Sequence, residues 1–255
     1  MGGALLAGWL EQGISPADMV VVDPSYESSA GPAGVRSFVS AEDLPGDFSP
    51  DVVLLAVKPQ VMNDVVPAYA RFDKAVFLSI AAGRTIASLR ALLGDKAAIV
   101  RAMPNTPAAV RRGATGLLAG TGTTPQQKAV CDKLVAAVGE AVWVGDETQL
   151  DAVTAVSGSG PAYVFLMVEA LAAAGEAMGL PADVAQTLAR ATIAGSGELL
   201  RQSPLPAATL RENVTSPNGT TYAALQVLMA EKDGLHDLMR RATEAAARRA
   251  RELAG

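Results

Sequence analysis

Apolar positions fall into two rhythms along the first 150 residues. Short continuous runs stand at Met19-Val20-Val21-Val22-Asp23, Asp51-Val52-Val53-Leu54-Leu55-Ala56-Val57, Ala75-Val76-Phe77-Leu78-Ser79-Ile80 and Ala97-Ala98-Ile99-Val100-Arg101-Ala102-Met103. Stretches with helical spacing, from about Gln60 and from Thr85, separate them. Runs of this length predict strands buried on both faces, and their alternation with helices predicts a doubly wound parallel sheet. Residues 113–119, a helix over 124–138 and Ala141-Val142-Trp143-Val144 continue the alternation. After Asp146-Glu147-Thr148 the pattern becomes helical, with helices predicted over 161–179, 181–200, 209–213, 220–229 and 235–253. In the last, Leu235, Leu238, Met239, Ala242 and Ala246 keep an i, i+3, i+4, i+7 stripe.

The predicted organisation is a Rossmann-type α/β domain over 1–148 and an all-helical domain over 149–255. The helix at 161–179 is apolar nearly all round, and its Ala and Gly residues let a second helix come close. A face that wide predicts a homodimer or higher homo-oligomer built on the C-terminal helices. Glu169 and Glu176 interrupt it, so it reads as a buried helix and not a membrane span.

The start of the chain refines this picture. Met1-Gly2-Gly3-Ala4 opens a helix, and the next strand closes on Asp23. In a Rossmann unit the glycines of G-x-G-x-x-G precede such a helix, and an acid about 20 residues on binds the ribose. Gly2 fits the last glycine and Asp23 the acid. The chain thus begins within the motif, and the expectation is that its first strand and two leading glycines lie upstream of Met1. A chain lacking them should bind dinucleotide poorly, because the pyrophosphate loses its tight turn.

Half the residues are hydrophobic but only 4% are aromatic, so the core must be built from Ala, Val and Leu. A formal charge of −5 opposes a phosphate backbone and argues against nucleic-acid binding. Arg240, Arg241, Arg248, Arg249 and Arg251 are interleaved with Glu244 and Glu252, which reads as a solvated helix face. One cysteine, Cys131, allows no intrachain disulfide, and one histidine, His236, lacks a partner at metal-ligand spacing. No metal and no serine-histidine triad are expected. No basic segment followed by an apolar core opens the chain, so a cytoplasmic location is expected.

The densest candidate chemistry lies in Asn213-Val214-Thr215-Ser216-Pro217-Asn218-Gly219-Thr220-Thr221-Tyr222. Pro217 fixes φ and Asn218-Gly219 tolerates positive φ, which predicts a sharp bend that opens a helix at Thr220. Unpaired N–H groups and two hydroxyls converge there, a cradle for a small carboxylate. Strand-ending loops supply further candidates: Ala56-Val57-Lys58-Pro59, Ala81-Ala82-Gly83 and Met103-Pro104-Asn105-Thr106-Pro107. Ligands in doubly wound sheets lie beyond the carboxyl ends of strands, and small residues there let a flat ring approach the backbone.

The order of these motifs, together with Ser157-Gly158-Ser159-Gly160-Pro161-Ala162-Tyr163, strongly resembles the pyrroline-5-carboxylate reductase family over almost the whole chain. Asn218 stands where the family usually has the first glycine of Ser-Pro-Gly-Gly-x-Thr, and Ser203-Pro204-Leu205-Pro206 departs from the family's Glu before His-Pro. The resemblance implies reduction of 1-pyrroline-5-carboxylate to L-proline by a nicotinamide cofactor, NADP with NAD possible. It implies that Thr221 bonds the substrate ring nitrogen, with Ser216, Asn218, Gly219 and Thr220 around the substrate. It implies cofactor contacts at Gly2, Asp23, Ser25, Ala56, Val57, Lys58, Pro59, Ala81, Ala82, Asn105 and Asn213. Asp23 favours a free 2′-hydroxyl, whereas Ser25 could accept a 2′-phosphate. Lys58, between a strand and a proline, reads as placed for its backbone and stem. Two rivals stay open: a non-catalytic oligomer, and a reductase of other imines or of β-hydroxyacids on the same two-domain plan.

Overall fold

Parallel strand pairing organises the first half of the chain. The computed structural model describes residues 1–26 and 34–254, and the chain divides into two units, Met1–Gly158 with Ala247–Gly255, and Ser159–Ala246. The first contains α1 (Gly2–Glu11), β1 (Val20–Val22), β2 (Arg36–Phe38), β3 (Val52–Leu55), α2 (Met62–Val65), β4 (Val76–Ser79), α3 (Ile86–Leu93), β5 (Ala98–Met103), β6 (Gly113–Ala119), α4 (Pro125–Ala136), β7 (Gly139–Trp143) and α5 (Glu147–Val153). The strands pair as β1-β2 and as β3-β4-β5-β6-β7.

Every pairing is parallel except β5 with β6. The alternation predicted a parallel step there. The connection between β5 and β6 holds only a 3-10 turn, Thr106–Val110, and a parallel crossover needs a dozen or more residues, so the chain returns antiparallel. The helix predicted from Gln60 is likewise broken into a 3-10 turn, the single turn of α2, and a 3-10 turn at Val66–Tyr69 that contains Pro67. Proline has no N–H to continue the ladder.

Both faces of the sheet are covered. Val53, Leu55, Met62, Phe77, Leu89 and Ile99 pack on one side, and Val76, Leu78, Val100, Leu117, Cys131 and Val135 on the other. All four residues of β4 are buried, which explains its unbroken apolar run. Helix α1 buries Leu5 against Ala108 and Val138. A Cβ on Gly8 would stand 2.6 Å from Val138 Cγ1, so glycine sets how closely α1 approaches. Trp9 Nε1 donates to the Leu134 carbonyl at 2.7 Å.

The second unit is helical: α6 (Gly160–Ala177), α7 (Ala182–Gln202), α8 (Ala207–Asn213), α9 (Thr220–Leu228) and the first part of α10 (Leu235–Ala254). Small residues bring α6 and α7 together, with Ala172, Gly175, Ala185 and Ala189 buried. Helix α6, expected to be buried with cover from a second copy of the chain, is largely exposed in the single chain. Only Ala172 and Gly175 are buried, while Phe165 and Leu166 are 61% and 62% exposed. The chain's own helices cover only one narrow side of an all-round apolar cylinder. By length and composition, the helical stretch 147–177 is long and apolar enough to cross a membrane, and little of it is buried within the chain.

Candidate active site

Three strand ends build one edge of the first unit. Leu55 on β3 pairs with Ser79 on β4, and Ser79 with Arg101 on β5, so the loops after these parallel strands emerge side by side. Ala56, Lys58 and Ala82 are exposed, Val57 and Pro59 half-buried, and Ala81 buried. Helix α1 starts against the same edge, since a Cβ on Gly2 would lie 3.1 Å from Ala56 Cβ. Gly2 and Ala56 thus meet beside the strand tips that carry Ala81–Ala82, while the adjoining Gly83 faces the Leu253 backbone, 2.9 Å from where its Cβ would lie; strand tips of this kind are where ligands of doubly wound sheets lie.

Asp23 follows β1. The Ser25 N–H and hydroxyl both donate to Asp23 Oδ1, at 2.9 and 2.7 Å. The Ser25 hydroxyl, and then its N–H, hold the Asp23 carboxyl below its ordinary value, so it is anionic at neutral pH. Lys58 is extended and starts the 3-10 turn that Pro59 opens.

Asn105 is buried, and its amide is engaged inside the protein. Nδ2 donates to the Ser157 carbonyl and Oδ1 accepts from the Ala114 N–H, both at 2.9 Å. Ser157 lies in a π-helical turn, Thr154–Gly158, that follows α5.

In the second unit the predicted bend is present. The Gly219 N–H donates to the Ser216 carbonyl at 3.0 Å, and Asn218 has φ of 56°. A Cβ on Gly219 would fall 2.3 Å from Ser216 Oγ, so a larger residue there would force the Ser216 hydroxyl to turn away. Helix α9 starts at Thr220 with no side-chain cap. Because the Gly219 N–H is spent within the turn, the N–H groups left for an anion are those of Thr220, Thr221 and Tyr222. Thr221 is half-buried, while Asn213, at the end of α8, is exposed.

Sequence reasoning passed over the polar residues that fasten these loops. Arg101 is 7% exposed and pairs with Glu147, whose Oε1 accepts from the Ile86 N–H at 2.9 Å. Burial pulls the Arg101 guanidinium down from the ordinary arginine value, and Asp151 opposes this. A lone cation inside the apolar run 97–103 was the signal that could have found the pair. Arg111, at φ of 59°, binds Glu11 through two nitrogens at 2.7 and 2.8 Å and so ties α1 to the segment after β5.

A doubly wound nucleotide-type domain with this edge, followed by a helical domain, defines a two-domain nicotinamide-dependent oxidoreductase. Residues 1–83 match the family model described as NADP oxidoreductase, coenzyme F420-dependent, and residues 147–253 match that for pyrroline-5-carboxylate reductase dimerisation. The pyrroline-5-carboxylate reductase of Pseudomonas aeruginosa is 43% identical over 257 residues, covering 100% of this chain and 93% of that protein. The solved structure of the Coxiella burnetii pyrroline-5-carboxylate reductase matches with a TM-score of 0.90 at 35% identity, over 99% of this chain and 94% of that one. The Plasmodium falciparum pyrroline carboxylate reductase, solved with NADP bound, matches with a TM-score of 0.81 at 29% identity, over 100% and 95%. The chain belongs to the pyrroline-5-carboxylate reductase family. The dimerisation match at 147–253 includes the whole helical unit, and the exposed apolar face of α6 is a surface that a second copy of the chain can cover.

Proposed function

We propose that the chain reduces the C=N bond of 1-pyrroline-5-carboxylate to give L-proline, using NADPH. The observation that carries the substrate half is the uncapped start of α9 behind the bend at 216–219. There the N–H groups of Thr220 and Thr221 donate to the substrate carboxylate, and Ser216, Asn218 and Gly219 shape the turn that aims them. The Thr221 hydroxyl donates to the ring nitrogen. A threonine hydroxyl is too weak an acid to give up its proton at neutral pH, so Thr221 orients the ring and relays a solvent proton. The bound cofactor supplies the hydride that the imine carbon accepts. Gly2, Ala56–Pro59, Ala81 and Ala82 bind it, with Ser25 toward the 2′-phosphate. Asn105 and Asn213 belong to the same proposed set, Asn105 through the loop it braces.

NADH is a second reading, favoured by one observation: the Asp23 carboxylate is held anionic by Ser25 and would repel a 2′-phosphate. The test is to follow nicotinamide absorbance with the purified chain, giving NADPH and NADH in turn with 1-pyrroline-5-carboxylate and with other cyclic imines, and giving NADP+ and NAD+ in turn with β-hydroxyacids. Faster 1-pyrroline-5-carboxylate-dependent oxidation of NADPH supports the proposal. Faster oxidation of NADH selects the second reading. Turnover only of hydroxyacids overturns both, and no saturable cofactor binding at all indicates a non-catalytic oligomer.

A further inference from the structure

Residues 80–86, between β4 and the first turn of α3, are tied to the loop after β3 by their own Arg84 side chain, to α5 through Glu147, and meet the Leu253 backbone of α10 at Gly83. Arg84 directly follows Gly83, and its Nη2 donates to the Pro59 carbonyl, which joins the loop after β4 to the loop after β3. Thr85 caps α3 by accepting from the Ser88 N–H at 3.0 Å. The Ile86 N–H, an orphan donor of the first helical turn, is taken by Glu147 Oε1. The other oxygen of Glu147 meets the buried Arg101, which stands opposite Ser79 in the sheet register. Ser79 Oγ in turn accepts from the Ala81 N–H at 3.4 Å.

Such fastening is costly. Fixing an arginine side chain gives up rotamer freedom, and water could satisfy the Pro59 carbonyl at no such cost. The Arg101–Glu147 pair is half-exposed, its carboxylate side 38% exposed, so desolvation of the buried Arg101 offsets part of its attraction. What the arrangement delivers is a fixed distance between two loops.

We propose that Arg84 and Glu147 are positioning residues for hydride transfer, Arg84 setting the spacing between Ala56–Pro59 and Ala81–Gly83 and Glu147 anchoring the second loop to the sheet through Arg101. The inference rests on the reading that these loops hold the nicotinamide end of the cofactor. Reduction of a ring carbon needs the reacting atoms at about 3 to 3.5 Å, and misplacement by about 1 Å can cost on the order of a hundredfold in rate. Lysine can restore the donor to Pro59 but not the planar, preorganised fork.

The experiment compares Arg84→Met, Arg84→Lys, Glu147→Gln and Ala82→Trp in the full chain. Arg84→Met should lower kcat about tenfold, a fraction of an ångström on the same scale, with KM for 1-pyrroline-5-carboxylate and cofactor affinity within about twofold. Its primary isotope effect with 4-deuterated cofactor should rise, and amides 81–85 of the cofactor-free protein should exchange faster. Arg84→Lys should recover part of kcat. Glu147→Gln should repeat the pattern with a lower Tm, because Arg101 loses its counter-charge. Unchanged kcat and unchanged exchange in Arg84→Met overturn the proposal, as does a rate loss with no rise in isotope effect. Ala82→Trp tests the reading beneath it. If cofactor affinity is unaffected there, the loops do not hold the nicotinamide, whatever Arg84→Met shows; if it falls while Arg84→Met keeps full kcat, only the positioning role is wrong.

Discussion

Asn105 and Ser157, far apart in sequence, are joined by a 2.9 Å hydrogen bond from the Asn105 amide to the Ser157 carbonyl, while the same amide accepts from the Ala114 N–H. One side chain thereby fastens the end of β5 to the start of β6 and to the π-helical turn. Asn105→Leu leaves a buried N–H and a carbonyl without partners and should cost about 2 kcal/mol in urea unfolding. Asn105→Asp keeps the acceptor and loses the donor. A cofactor Kd that rises in Asn105→Asp beyond what lost stability explains would mark a direct cofactor contact.

Thr221→Ala removes the proposed donor to the ring nitrogen and leaves the Thr220 and Thr221 N–H groups in place. Turnover should fall about tenfold, the worth of one neutral hydrogen bond, with KM for the substrate changed much less. Thr221→Ser should keep most of the rate. Steady-state kinetics read both, and wild-type turnover in Thr221→Ala would end this assignment.

Cofactor choice turns on Asp23 and Ser25. Asp23→Ser removes an anionic carboxylate and should raise kcat/KM for NADPH relative to NADH by about tenfold. Ser25→Ala should lower that ratio. Equal losses with both cofactors in Asp23→Ser would show that this acid does not face the ribose.

Burial pushes the Cys131 thiol up to about 12, against about 8.5 for an unperturbed cysteine. Between those values the unfolded chain gives up a proton that the native chain keeps, so stability should fall as pH rises, by up to about 1.4 kcal/mol per pH unit. Burial, and then Glu42, raise Tyr69 above its ordinary value, which adds a loss of the same sign at the alkaline end. Cys131→Ala should flatten the fall in denaturation curves from pH 8 to 11. At pH 8 a thiol reagent should label Cys131 only after unfolding.

The elements most legible in the sequence were those whose burial is two-sided. β3, β4 and β5 read correctly because Val53, Phe77 and Ile99 on one face, and Val76, Leu78 and Val100 on the other, keep the runs apolar, with only Ser79 and Arg101 polar among these strands. β2 was invisible, because Arg36-Ser37-Phe38 is exposed at two of three positions and carries no apolar period. The antiparallel return at β6 was missed because strand direction is set by loop length, which the alternation of elements does not encode. At the site, the bend at 216–219 was readable since Asn218-Gly219 announces its backbone. That the Gly219 N–H is consumed by Ser216 was not, because a hydrogen-bond partner inside a turn depends on its exact dihedrals. Arg84 was passed over for a related reason: its acceptor is a backbone carbonyl 25 positions away, and carbonyls leave no mark in a sequence.

The two-part sheet carries a consequence for the life of the chain in solution. Among the described residues β1 is bonded only to β2, and β3 only to β4, so each offers one row of amides to a visitor. Apolar strands with a bare flank are templates for extended peptides, including those of neighbouring molecules still emerging or partly unfolded. Crowded expression should therefore divert some of this protein into cross-strand aggregates before its helices can pair, and slow, dilute synthesis should recover it.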